Sequence, residues 1–173
     1  MDARVPTGAN DRPRYAQTGD ERVQDGKIRF ELWALILEKA WAKLKGGYPN
    51  IAGGNPGAAM EAITGEKTDR FDPRSKSDRF ILARLKKAQA DGHPVTCSTP
   101  KVEGWKGKKG DKKRKSWNAL ADQLHVYAWH AYSFKAVKDE QIVLENPWGY
   151  DHPMPMTPGQ LKQLFVEVSI NRA

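Results

Sequence analysis

Apolar residues in the first half of the chain recur at helical spacing. Between Glu31 and Lys45 leucine, isoleucine, tryptophan and alanine alternate at steps of three and four, and Gly46-Gly47 follows. This pattern predicts a helix that is apolar over much of its circumference and therefore deeply buried. Capping residues predict two shorter helices, one from Asn55 to Gly65 and one from Ser77 to Gly92.

The second half of the chain carries strand patterns separated by polar turns. Strands are predicted at Pro94–Ser98, Leu124–Val137, Gln141–Glu145 and Phe165–Ile170, and a short helix begins at Thr157-Pro158. Loops are expected at 1–29 (with a short strand at Ala3–Val5), Asp69–Lys76 and Lys101–Asn118. Helices followed by an antiparallel sheet indicate an α+β fold.

Size and cysteine content narrow the class of protein. A chain of 173 residues is one domain in size, or most of one. No apolar run approaches the roughly 18 residues of a membrane span, and Met1–Asp20 lacks the apolar stretch of a signal peptide. The single Cys97 excludes an internal disulfide and a zinc site of several thiolates. We expect a cytoplasmic protein, or one exported as part of a larger protein, with no membrane partner.

The net charge of +8 comes mostly from one segment. Lys106–Lys115 (KGKKGDKKRK) holds seven basic residues and one aspartate, and it contributes six of the eight charges. Trp105 and Trp117 flank it, so one interpretation is a nucleic-acid site with lysines on phosphates and rings stacked on bases. We favour a solvated insertion, and we expect 101–118 to be a flexible basic loop. Nucleic acid is therefore not expected as a partner.

Histidine is the natural general base near neutral pH. The chain has four: His93, His125, His130 and His152. His130 lies in a predicted strand, and Asn146, sixteen residues later, closes the next one. Adjacent antiparallel strands bring such residues within side-chain reach. An amide oxygen that accepts from one imidazole nitrogen would aim the other at a thiol, with Trp148 covering the bond.

The residue pattern alone leaves a structural alternative open. A histidine among apolar neighbours is by default a hydrogen-bonded core residue, and Asn146–Gly149 is an ordinary turn sequence. His125 and His130 are five residues apart, which on a strand sends them to opposite faces and makes them a poor metal pair. Spacing therefore does not separate catalysis from packing.

Five segments resemble, in the same order and at roughly the same spacing, parts of the catalytic domain of the calpain family of cysteine proteases. They are Asp2–Pro6 (DARVP), Glu31–Gly54 (ELWALILEKAWAKLKGGYPNIAGG), Pro94–Ser98 (PVTCS), His130–Phe134 (HAYSF) and Glu145–Gly149 (ENPWG). The resemblance implies a papain-like α+β fold, mainly its antiparallel-sheet subdomain with a long buried helix and shorter helices. Residues 1–173 would form a partial catalytic domain, most similar to bacterial calpain-like members.

The resemblance also implies an activity and site residues. The family hydrolyses peptide bonds with a Cys/His/Asn triad, in which His130 would be the general base and Asn146 its orienting residue. Trp148 would shield their hydrogen bond. Trp129 stands where the family usually has a small residue, often glycine, so its ring would narrow a substrate subsite or mark a degenerate site. The implied partner is a protein or peptide substrate.

The family's nucleophile segment, Q-G-x-x-G-D-C-W, has no counterpart in these residues. In the family it precedes the stretch that Asp2–Pro6 resembles. Cys97 matches a non-catalytic position in a strand, so we expect it to be structural. The chain alone is therefore expected to be inactive: a fragment, the partner of a separate nucleophile-bearing N-terminal half, or a pseudo-protease that binds peptides without cleaving them.

No cofactor is expected. Animal calpains need calcium, which acidic residues shortly after the Asn-Pro-Trp-Gly segment help to bind. The corresponding residues 150–156 (YDHPMPM) hold one carboxylate, whereas calcium sites use several oxygen ligands. Calcium is thus compatible with the resemblance, but its ligands are not evident in the sequence.

Overall fold

The computed structural model describes residues 22–24, 27–29, 33–51 and 53–173. The helices are α1 (Trp33–Leu44), α2 (Pro56–Thr64), α3 (Asp78–Asp91), α4 (Gly107–Leu124) and α5 (Pro158–Leu164). The strands are β1 (Arg22–Gln24), β2 (Lys27–Arg29), β3 (Thr68–Phe71), β4 (Val95–Ser98), β5 (Ala131–Lys138), β6 (Gln141–Glu145) and β7 (Glu167–Asn171). The chain divides into two compact units, Met1–Gly54 and Asn55–Ala173. Within the described residues, no helix is both long and apolar enough to cross a bilayer.

The first unit contains the antiparallel pair β1–β2 and helix α1. The pair corrects the expectation of a loop throughout 1–29, whereas Ala3–Val5 and Asp2–Pro6 lie outside the described residues. Helix α1 confirms the predicted helix; it ends at Leu44, and Gly46 follows two residues later with a φ of +82°.

Helix α1 is buried on one face and not around its circumference. The buried residues are Leu35 and Ala42, at 4% and 2% exposure. The exposed ones are Ile36, Leu37 and Leu44, at 55%, 38% and 70%. Among the described side chains of this helix, the prediction of deep burial therefore holds for one face only.

The second unit is built on a five-stranded antiparallel sheet in the order β3-β7-β4-β5-β6. Strands β4, β6 and β7 and helices α2, α3 and α5 confirm the sequence predictions within two residues. Strand β3 corrects the expected loop at Asp69–Lys76. It is a polar edge strand that pairs with β7, with Phe71 opposite Val168. This pairing stabilises the strand conformation, which the composition of the segment does not favour.

Helices α3, α4 and α5 pack with the sheet around one hydrophobic core. Its largest fully buried members include Tyr132, Phe165, Ile81, Leu85, Ile142, Leu144, Met156, Leu161 and Leu164. Helix α2 contacts β3, β4 and β7. Its Gly57 lies against Ser169 of β7. Side chains alternate along a strand, so Ser169 is on the face of the sheet opposite to that of the core residue Val168. The result is an α+β unit with helices on both faces of the sheet.

The basic segment is a helix, which corrects the loop expected at 101–118. Helix α4 begins at Gly107 and buries Trp117, Ala121 and Leu124, which recur at helical spacing. The buried residues lie toward the C-terminal end, beyond most of the glycines and lysines that suggested a loop. Packing against the core stabilises the helix despite this composition.

The predicted strand Leu124–Val137 is also corrected. Leu124 ends α4, His125 follows in the left-handed region with φ 55°, and β5 begins only at Ala131. The segment between them is an ordered loop, in which Val126 donates to the carbonyl of Ala121 at 2.8 Å. Aromatic composition alone does not distinguish such a loop from a strand. The argument that His125 and His130 lie on opposite strand faces therefore does not apply.

Candidate active site

The end of the β5–β6 hairpin brings His130 and Asn146 together. His130 immediately precedes β5 and Asn146 immediately follows β6. The strands are antiparallel, with Ser133 opposite Glu145, so both residues lie at the same edge. His130 Nε2 is 3.1 Å from Asn146 Oδ1. The predicted contact between these two side chains is confirmed.

The neighbours of Asn146 determine the direction of this hydrogen bond. Asn146 Oδ1 also accepts from the backbone N–H of Trp148 at 3.2 Å, and its Nδ2 donates to the carbonyl of Asp151 at 3.2 Å. The amide orientation is thereby fixed, and Oδ1 is the acceptor. His130 Nε2 must then carry a proton, so in the neutral imidazole the Nδ1 lone pair is free to accept one. Nδ1 makes no hydrogen bond with any residue in the described part of the chain.

Aromatic rings surround the imidazole. The Trp148 ring lies 4.6 Å from that of His130, centroid to centroid, and Tyr132 packs edge-on at 4.9 Å. Tyr127 supports Trp148 from 4.9 Å. Asn146 is 2% exposed, whereas Trp148 is 48% exposed. The hydrogen bond between His130 and Asn146 is therefore shielded within an edge that still faces solvent.

Thr99 holds the backbone of His130 in place. The N–H of His130 donates to Thr99 Oγ1 at 2.9 Å, and the N–H of Thr99 donates to the carbonyl of His130 at 2.9 Å. Thr99 Oγ1 also lies 2.8 Å from the carbonyl of Tyr127. Sequence reasoning missed this buried residue, since its partner is thirty-one positions away. The only feature of the sequence that could have pointed to Thr99 is its position directly after the predicted strand β4.

Asp151 links the two loops that carry the site. Its carboxylate accepts from the Tyr127 hydroxyl and lies 2.9 Å from His125 Nδ1. The hydrogen bond from Tyr127, and after it that from His125, hold the pKa of Asp151 below its usual value. The hydrogen bond to Asp151 in turn raises the pKa of Tyr127. His152 Nδ1 accepts from the N–H of Asn146 at 3.1 Å. Sequence reasoning noted Asp151 only as a single carboxylate.

No described cluster of three or more histidine, cysteine or acidic side chains is arranged to hold a metal ion. Asp151, the one carboxylate that follows Trp148 closely, already accepts hydrogen bonds from Tyr127 and interacts with His125.

Trp129 adopts an uncommon backbone conformation next to the site. Its φ is +50°, in the left-handed region, and its side chain is 61% exposed. Lys101 Nζ lies 4.6 Å above the ring. Glycine adopts this conformation without strain. The positive φ at this position therefore explains why a glycine, which the calpain resemblance leads us to expect here, would fit the backbone.

Cys97 lies in β4, the central strand of the sheet, and is fully buried. In the sheet it pairs with Tyr132. Burial raises the pKa of the thiol to about 12. Because the thiolate is the reactive form, this environment opposes nucleophilic chemistry at neutral pH.

Sequence comparison places the chain in a family. A profile described as "Calpain family cysteine protease" matches residues 1–153. The chain belongs to the calpain family of cysteine proteases. It is 30% identical to calpain clp-4 of Caenorhabditis elegans over 86% of this chain. It is 29% identical to mouse calpain-9 over 86% of this chain and to the chicken calpain-1 catalytic subunit over 73%.

The chain spans about one fifth of the length of these calpains, at 19%, 20% and 18% of each in turn. The family assignment confirms the resemblance to calpains stated from the sequence motifs, whereas the greater similarity to bacterial members stays a prediction. The α+β sheet unit with α2–α5 is consistent with a papain-like domain of this family.

Proposed function

We propose that this chain supplies the base-bearing part of a calpain-type cysteine endopeptidase. His130 is the general base, Asn146 orients it, and Trp148 shields their hydrogen bond. The nucleophilic cysteine comes from a segment outside these 173 residues. The observation that carries the proposal is the Asn146 amide, whose fixed orientation keeps the proton on His130 Nε2 and leaves Nδ1 free.

The chemistry follows from that tautomer. His130 Nδ1 takes the proton of the cysteine thiol, and the thiolate attacks the carbonyl carbon of the scissile peptide bond. The imidazolium, stabilised by Asn146 Oδ1, gives this proton to the leaving amine as the C–N bond breaks. Nδ1 then takes a proton from a water molecule, whose oxygen attacks the thioester carbonyl. The C–S bond breaks to release the carboxylic acid, and the thiolate takes the proton back from Nδ1, which regenerates the thiol and the neutral imidazole. Asn146 serves throughout as a neutral acceptor.

Two properties of Cys97 support an external nucleophile. It is enclosed in the core, and burial raises the pKa of its thiol to about 12. Reactive cysteines instead occupy partly exposed, electropositive surroundings that favour the thiolate. The chain has no other cysteine, so we expect no peptidase activity from these residues alone.

Complementation tests the proposal. The part of the chicken calpain-1 catalytic subunit that precedes the matched region would be purified and mixed with this chain, and cleavage of a fluorogenic peptide measured. His130→Ala should lower the rate by about a thousandfold or more, since triad members act as a unit. Cys97→Ala is the matched control and should keep the activity. Activity that survives His130→Ala, or that disappears in a folded Cys97→Ala variant, would contradict the proposal.

The tautomer can be tested on the chain by itself. Nitrogen-15 NMR of the imidazole should report a proton on Nε2 of His130 and none on Nδ1 in the neutral ring. Asn146→Ala should mix the two tautomers, because the acceptor that selects Nε2–H is gone. A wild-type ring protonated on Nδ1 would rule out the arrangement independently of any complementation.

Trp129 favours a second candidate, a pseudo-protease that binds peptides without cleaving them. Its ring is exposed beside the base, where calpains usually have a small residue. The complemented chain would then bind peptide but not hydrolyse it, and Trp129→Gly would restore hydrolysis. Cleavage by the unaltered chain excludes this candidate.

A further inference from the structure

Helix α4 turns the basic segment into an ordered surface with a groove beside it. The groove has a volume of about 490 Å³ and lies between α4, α5 and the turn at Pro73–Ser75. Lys109, Lys112 and Lys113 line it from α4, while Arg74 and Lys162 line it from the other elements. Five cationic side chains thus face one cavity.

The positive charge of the groove is only partly compensated. Arg74 is paired with Asp72, and Lys162 with Asp78 at 3.0 Å. Lys109 and Lys112 are exposed, and neither forms an ion pair or hydrogen bond with any residue that the structure describes. A groove with unpaired cations favours an anionic ligand.

The floor of the groove is apolar. Trp117 is 6% exposed, and its Nε1 donates to the carbonyl of Leu164 at 3.1 Å. Leu120, one helical turn along, is half-buried in the same groove. A ligand that fits carries both carboxylates for the lysines and an apolar side chain for this floor.

The rings of this surface are not available for nucleic-acid bases. Trp117 is nearly buried, and Lys113 Nζ already covers the half-buried Trp105 ring at 4.2 Å. Single-stranded nucleic acids bind by stacking on accessible aromatic faces as well as by charge. A membrane is also a poor fit, since α4 has no exposed large apolar side chain to insert.

We propose that this groove binds an acidic segment of a partner protein, held by Lys109 and Lys112 and anchored by an apolar side chain against the half-buried Leu120. The site is separate from the His130–Asn146 pair and does not depend on the proposed peptidase activity. It gives the basic segment a recognition role rather than that of a solvated insertion.

The helix offers a matched pair of variants for the test. At 100° per residue, Lys109 and Lys112 lie on the groove side, whereas Lys108 and Lys115 point about 110° and about 130° away from its centre. Lys109→Ser/Lys112→Ser and Lys108→Ser/Lys115→Ser remove the same charge from one helix. All four lysines are exposed, so both variants should fold, which circular dichroism checks.

The probe is a fluorescein-labelled peptide of glutamates with a central Leu-Leu pair, followed by anisotropy at low salt. Lys109→Ser/Lys112→Ser should raise the Kd about tenfold or more, and Lys108→Ser/Lys115→Ser about twofold at most. Replacing the glutamates by glutamine should abolish binding, and replacing Leu-Leu by Ser-Ser should weaken it about fivefold. No binding, or equal effects of the two variants, would overturn the proposal. Tighter binding of a DNA oligonucleotide with the same lysine dependence would replace it by a nucleic-acid site.

Discussion

Asn146 combines burial with hydrogen bonds from both ends of its amide. Its Oδ1 accepts from His130 and from the Trp148 backbone, and its Nδ2 donates to Asp151. A carboxylate could replace the acceptor but not the donor. The residue therefore fits the proposed role of orienting His130, and it also links the two ends of one loop.

Asn146→Asp should lower the free energy of unfolding by about 1–3 kcal/mol, since a carboxylate oxygen would face the Asp151 carbonyl with no proton between them. Urea unfolding measures the change. Asn118→Asp, at an exposed position on α4, is the control and should change stability by less than about 0.5 kcal/mol. Equal stabilities of the two variants would show that the Nδ2 hydrogen bond contributes nothing.

Cys97 should be inert while the chain is folded and should make stability depend on alkaline pH. Burial raises the pKa of the thiol from 9.0 to about 12, so the unfolded thiol ionises first as pH rises. The stabilising contribution is complete below pH 9.0 and is lost as pH rises toward about 12. Urea unfolding across this range should show a smaller loss in Cys97→Ala. Rapid reaction of native Cys97 with a thiol reagent at pH 8 would contradict its burial.

At the scale of elements, α4 shows how a glycine can serve packing within a helix. A Cβ on Gly110 would lie 2.7 Å from the Trp105 carbonyl carbon. Arg114 Nη1 donates to the Trp105 carbonyl at 3.2 Å. The glycine that suggested a loop thus permits close approach of the helix to the backbone before it.

Gly110→Ala should destabilise the protein by about 1–2 kcal/mol although alanine favours helices, because the added carbon collides with backbone atoms that cannot rotate away. Thermal unfolding measures this. Gly159→Ala in α5 is the control, since its Cβ would meet only Thr157 Oγ1 at 3.8 Å. That variant should be neutral or more stable by up to about 1 kcal/mol. A stabilised Gly110→Ala variant would show that the backbone at Trp105 moves to accommodate the added methyl group.

At the scale of the whole molecule, the unit Asn55–Ala173 has its own core. Every residue of the main described cluster, from Ile81 to Ile170, belongs to it. The sheet of β3–β7 and the helices α2–α5 also lie within it. The pair His130 and Asn146 is therefore carried by a unit with the parts of an independent domain.

A chain of residues 55–173 alone should fold and unfold in one cooperative urea transition, with the near-ultraviolet circular dichroism of packed tryptophans. Its imidazole NMR signals should report the same Nε2–H tautomer of His130. A broad transition with exposed apolar surface would show that the first unit is needed to complete the fold.

The sequence by itself determined features that depend on neighbouring residues. Asn55, Ser77 and Thr157 cap helices through bonds to backbone groups three positions away, and Gly65 and Gly92 end helices because left-handed φ is free for glycine. The β5–β6 hairpin and the meeting of His130 with Asn146 follow from two short strands and one turn. The family motifs rest on the same local residues.

The tertiary structure decided what depends on distant partners. Strand β3 is stabilised by pairing with β7, about one hundred residues later. Helix α4 is stabilised by packing against the core, which the basic composition of its first half does not predict. Thr99 and Asp151 act on the loops around His130 across thirty-one and twenty-four positions. Their hydrogen bonds stabilise only conformations that the folded sheet has already brought together, so no local pattern in the sequence predicts them.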